Sequence, residues 1–90
     1  MLQRFVDDDQ SYLSWLEEHP DGYVLNAERR PTRSFIVLHR TSCAALAGPA
    51  PPEGRTSTML KVCATTTAEI DAWCRDQVSA FATRCRRCRP

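Results

Sequence analysis

Near its end the chain reads Arg84-Cys85-Arg86-Arg87-Cys88-Arg89, two thiols three positions apart in a run of guanidinium groups. A Cys-x-x-Cys turn aims both sulfurs at one point, and four thiolate or imidazole donors make a closed tetrahedral Zn²⁺ site. The other half of such a site stands upstream in His39-Arg40-Thr41-Ser42-Cys43, an imidazole and a thiol four residues apart. A fold that satisfies both halves must carry the tail back onto the middle of the chain. That requirement excludes most arrangements of a polypeptide this short.

The chain has 90 residues, enough for one domain and a thin core, and chains of this size gain from a staple. Large apolar residues are sparse, with Trp 2, Phe 3 and Tyr 2, so no deep substrate cavity is expected. The cysteine count of 5 is odd, which argues against a complete disulfide framework. The first ten residues carry Asp7-Asp8-Asp9 and no apolar stretch, so no secretory signal is expected. No apolar run approaches the roughly 20 residues of a membrane span. These features together predict a cytoplasmic protein with reduced thiols and no membrane partner.

Charge divides the chain. Residues 1–28 set seven carboxylates against Arg4, while residues 29–90 set eleven cations, all but Lys61 arginine, against four carboxylates. Arginine forks match phosphate oxygens, although arginine with abundant alanine and proline also follows from base composition alone.

Hydrophobic periodicity predicts a helix over residues 8–19, capped by Asp8 or Asp9, with Tyr12, Leu13, Trp15 and Leu16 on its apolar stripe. Pro20-Asp21-Gly22 ends it. Short strands are expected at residues 23–25, at 35–38 as the central strand, and at 58–63. Residues 47–55 read as a Pro/Ala/Gly loop. Thr66 and Glu69 have capping-box spacing, and Ile70, Trp73, Cys74, Val78 and Phe81 follow at helical intervals. The expected fold is α+β over residues 1–90 as a single domain: a small three-stranded sheet with two helices, closed by a single structural zinc site. An acidic helix and first strand fill residues 1–28, and the basic zinc-binding part fills residues 29–90.

The predicted ligands are His39, Cys43, Cys85 and Cys88, three thiolates and one imidazole around Zn²⁺. Cys63 competes for the fourth position, because it shares a strand face with Met59 and Lys61 rather than with Leu60 and Val62. Cys74 falls on the apolar stripe and reads as a small core residue. Arginines near three thiolates offset their charge and favour the metal-binding form. This gives Arg40, Arg84, Arg86, Arg87 and Arg89 a purely structural reading beside the nucleic-acid one.

These residues resemble the Ada-type zinc domain, the N-terminal module of bacterial adaptive-response proteins that repair methyl phosphotriesters in DNA. In that family a Cys-x₃-Cys pair follows a strand, and a strand, a helix and a Cys-x-x-Cys knuckle running into Arg and Pro come after it. Here His39 to Cys43 stands in the place of the first pair, and Cys85-Arg86-Arg87-Cys88-Arg89-Pro90 resembles the knuckle. The likeness covers about residues 35–90. The family's methyl acceptor is the first cysteine, a zinc thiolate, and His39 stands at that position. An imidazole does not play that role, so the resemblance implies a zinc-held, DNA-associated fold and not alkyl transfer.

The expected function is a small zinc-stabilised DNA-binding module, not an enzyme. Arg40, Arg84, Arg86, Arg87 and Arg89 would meet phosphates, with Arg55 and Lys61 joining them and Tyr23 and Asn26 as base contacts. The alternative is a structural zinc-containing protein-interaction protein that uses its acidic N-terminal helix and binds no nucleic acid. Tyr12 and Trp15 are anchors of the kind interfaces favour, and equally the residues a minimal core uses.

Overall fold

A computed structural model describes residues 2–46, 48 and 54–90. Element order is β1 (Gln3–Phe5), α1 (Asp9–Glu18), β2 (Tyr23–Glu28), β3 (Ile36–Arg40), a 3-10 turn (Ala44–Leu46), β4 (Met59–Ala64), α2 (Thr67–Val78) and β5 (Thr83–Arg84). The architecture is α+β with two helices, as expected, but the sheet has five strands instead of three, in the order β1-β4-β2-β3-β5. The added strands are three and two residues long, too short to show a two-residue alternation. The centre is β2, not the segment at residues 35–38. Phe35 lies outside β3 and is 40% exposed. The loop expected over residues 47–55 falls outside the described residues except at Gly48, Gly54 and Arg55.

Strand alternation sorts the sheet residues onto two faces. Leu25, Ala27, Ile36, Leu38, Leu60, Val62 and Ala64 meet Ile70, Cys74 and Val78 of α2 in the larger core. Phe5, Val24 and Cys63 meet Tyr12 and Trp15 of α1 in a smaller core on the opposite face. Each helix follows its sequence signals. Asp8 caps α1 by accepting from Ser11 N, and the Thr66 hydroxyl caps α2 by accepting from Glu69 N. Ser79 closes α2 in the left-handed region, with φ 53, so the chain leaves the helix before Phe81. That side chain, expected on the buried stripe, is instead 75% exposed. Leu13 is also exposed, whereas Tyr12 and Trp15 are core residues.

The three N-terminal aspartates hold structure. Asp7 pairs with Arg29 through two 2.8 Å hydrogen bonds. Asp9 accepts from Arg55 N at 2.7 Å, from Thr56 N at 2.8 Å and from the Thr56 hydroxyl at 2.7 Å, tying α1 to the segment that enters β4. The hydroxyl of Thr56, with the backbone N–H of Arg55 and Thr56, holds the Asp9 carboxyl below the usual range. A carboxyl lowered in the folded state stabilises the fold above its unfolded value of about 3.9, and that contribution is lost as pH falls through the lower native value. Acid unfolding of Asp9→Asn, followed by circular dichroism, is therefore expected to show a smaller fall in stability below about pH 4 than the parent chain.

Gly22 ends the turn after α1 because no side chain fits there. A Cβ would stand 2.7 Å from Trp15 Cη2 and 3.2 Å from the His19 carbonyl oxygen. The indole is in turn stacked on His19, with ring centroids 4.2 Å apart. Urea unfolding is expected to show Gly22→Ala destabilised by about 1–3 kcal/mol through overpacking. Gly48→Ala, where a Cβ would meet no atom of the described residues within 4 Å, is expected to change stability little.

Candidate metal centre

The tail returns to the sheet through β5. Thr83 and Arg84 pair in parallel with Val37 and Leu38, and Cys85 N–H extends the ladder to the Leu38 carbonyl at 2.9 Å. Parallel strands need a crossover, which α2 supplies between β4 and β5. This registry sets Cys85 beside His39. Cys43 comes close through the turn after β3, where Cys43 N–H donates to the Arg40 carbonyl at 3.0 Å.

The donor atoms of His39, Cys43, Cys85 and Cys88 lie within 4.8 Å of one another, and together they could hold a metal ion. The sulfurs of Cys43 and Cys85 are 3.8 Å apart. Tetrahedral coordination with Zn–S bonds of about 2.3 Å separates two sulfurs by about 3.8 Å, whereas a disulfide holds them at about 2.05 Å. All five cysteines are free thiols.

Backbone amides feed the sulfurs. The N–H groups of Cys88 and then Arg87 donate to Cys85 and draw its thiol below the ordinary value, against desolvation. Arg40 N–H donates to Cys88 Sγ at 3.2 Å. Burial raises the Cys88 thiol even so, and proximity to Cys43 and Cys85 raises it further. A cation shared among these sulfurs removes their mutual repulsion. His39 fits the same demand. It is 8% exposed, and burial, then Lys61, lowers its pKa, favouring the neutral ring that ligates metals. Its buried Nδ1 has no hydrogen-bond partner among the described residues, an orphan that a metal bond would satisfy.

Cys63 does not reach the cluster. Across the strands, Cys63 pairs with Val24 and Val24 with His39, so Cys63 is two strand spacings, about 10 Å, from the imidazole. It is fully buried under α1, and burial lifts its thiol to about 12. Cys74 is a core residue beneath α2, as its place in the stripe suggested.

The arginines divide. Arg40 extends over the Tyr23 ring and donates to the Cys88 carbonyl at 3.0 Å and the Arg89 carbonyl at 3.1 Å, strapping down the tail. Arg84 makes a two-pronged pair with Asp71 at 3.0 and 2.9 Å. Arg86, Arg87 and Arg89 are exposed and have no carboxylate partner among the described residues. Asn26 and Lys61 bond to each other on the α1 face of the sheet, and Arg55 donates to the Leu46 and Gly48 carbonyls. Structural and solvent-facing arginines look alike in the sequence, because Asp71 and the tail carbonyls meet Arg84 and Arg40 only in three dimensions.

Searches against protein-family models, curated proteins and solved structures find no match. Among the described residues no helix is long and apolar enough to cross a membrane. Cobalt titration of the reduced protein is expected to saturate at a single ion per chain with a thiolate charge-transfer band. Cys85→Ser and Cys88→Ser should each weaken that band strongly, and Cys63→Ser and Cys74→Ser should leave it intact.

Proposed function

We propose that this chain is a small zinc-stabilised module that binds nucleic acid, with DNA the expected partner. Zinc bound by His39, Cys43, Cys85 and Cys88 would cross-link the end of β3 to the tail and contribute its binding free energy to folding. Four protein donors leave no coordination position for a substrate, so the ion's role is structural and no catalytic residue is assigned.

One observation carries the nucleic-acid reading. Arg86, Arg87 and Arg89 project from the cysteine knuckle into solvent without a carboxylate partner among the described residues. Solvent-exposed guanidinium groups clustered in this way suit phosphate. The resemblance to Ada-type zinc domains supports the same reading, since the chain runs strand, His-x₃-Cys turn, strand, helix and knuckle in that family's order. Arg40 and Arg84 serve chiefly to hold the knuckle in place.

A zinc-containing protein-interaction module is the second reading, and Phe81 favours it. This ring is 75% exposed and lines a surface pocket with Arg33 and Arg75, and exposed aromatics and arginines are common interface anchors. The acidic N-terminal helix supports it less, since Asp7 and Asp9 are engaged within the fold.

Fluorescence titration of duplex DNA over a range of salt concentrations tests the first reading. Each phosphate contact contributes about 0.9 to the slope of log affinity against log salt. Replacing both Arg86 and Arg87 by alanine is expected to flatten that slope by up to roughly 2 while zinc content is unchanged. Absence of binding at low salt, or a slope that ignores the double substitution, overturns the reading.

A further inference from the structure

Among the described residues, α1 covers only part of its face of the sheet. A helix of ten residues spans about 15 Å, and it packs over Phe5, Val24 and Cys63. Beyond it lies a cavity of about 470 Å³, within the range of small-molecule sites. Its floor is a row set by strand registry, Lys61 of β4 beside Asn26 of β2 beside Val37 of β3. Phe35, Leu46 and Met59 add apolar walls, and Tyr12, His39 and Arg55 add polar ones.

Lys61 is the anomaly of this cavity. It is 8% exposed, and lysine is almost never buried so far without a charged partner. Its ammonium has three N–H donors. One reaches Asn26 Oδ1 at 2.8 Å, and the group sits 5.8 Å from the centre of the Tyr12 ring. Among the described residues no carboxylate bonds to it.

Among the described residues the surrounding charges compensate it only in part. Arg55, a second cation, lines the same cavity and repels Lys61. Asp9 is the carboxylate that acts on Lys61, and it already accepts from Arg55 N, Thr56 N and the Thr56 hydroxyl. Cys63, the other acidic group nearby, is a neutral thiol at ordinary pH because burial lifts it to about 12. A water-accessible space lined by two cations, with ammonium donors that meet no carboxylate among the described residues and with apolar walls, is complementary to an anion that carries an apolar body.

We propose that this cavity binds a small organic anion, its carboxylate or phosphate on the Lys61 ammonium and its flat apolar portion against Phe35, Val37 and Met59. Asn26 fixes the direction of the lysine side chain. The Tyr12 ring excludes water from one side of the ion pair, which strengthens it. The site stands apart from the exposed arginines of the tail and does not depend on nucleic-acid binding.

Benzoate, phenyl phosphate and neutral benzyl alcohol serve as probes, titrated into the purified full chain and followed by ¹H–¹⁵N correlation spectra. The anionic probes are expected to give saturable shifts at the amides of Asn26, Val37 and Lys61, with at least about tenfold tighter binding than the alcohol. Comparison of benzoate with phenyl phosphate identifies which anionic group the site prefers. Lys61→Met, which keeps the length and apolar stem of the side chain, should lose the preference for anions. The proposal is overturned if neither anion gives saturable shifts at these amides, or if the alcohol binds as tightly as the anions. Binding of the anions to Lys61→Met at parental strength overturns it equally, and the comparison on the parent chain decides even if that variant does not fold.

Discussion

Two residues of parallel pairing organise this molecule. When Thr83 and Arg84 align with Val37 and Leu38, the tail acquires a direction and a depth, and the sulfurs of Cys85 and Cys88 fall beside His39 and Cys43. So short a strand has little stability of its own. It is held by α2, whose buried face fixes where the crossover ends, by the Arg84–Asp71 pair, and by Arg40 gripping the last carbonyls. The candidate metal centre is thus a product of topology, built where three separate devices position one segment.

The two faces of the sheet do different work. Beneath α2 lies a continuous aliphatic core, formed wherever β2, β3 and β4 place a branched residue on that side. Beneath α1 the row Cys63–Val24–His39 begins dry and ends at the thiol cluster, and the neighbouring row Lys61–Asn26–Val37 is polar and open. His39 belongs to both surroundings, lining the cavity while its buried Nδ1 has no partner among the described residues. Two of the buried polar residues, His39 and Lys61, lie on this face, and local concessions of this kind gather at functional sites.

Local chemistry made much of this legible in the sequence. The Thr66–Glu69 box, the Asp8 cap and the β-branched runs each specify their own conformation through neighbours a few residues away, and the structure places them accordingly. The clustering of His39, Cys43, Cys85 and Cys88 was readable because ligand spacing is itself short-range within each half. Long-range pairing was not readable. Strands β1 and β5 exist only because β4 and β3 offer them unpaired edges, and Lys61 is buried only because α1 and the entry to β4 meet above it. Phe81 was misplaced for a related reason. Its spacing suits a helix, but Ser79 turns left-handed and rotates everything after it out of the stripe.

Both rims of the sheet are occupied by pieces of the chain's own extremities, β1 on one side and β5 on the other. Such fragments act as guards, because a bare hydrogen-bonding rim recruits strands from other molecules. If the cysteine knuckle lets go, β3 loses its cover and displays the amides and carbonyls of an Ile-Val-Leu run. A molecule in that condition would offer itself as a template for its neighbours. Tail attachment would therefore guard this rim as well as position the thiol cluster.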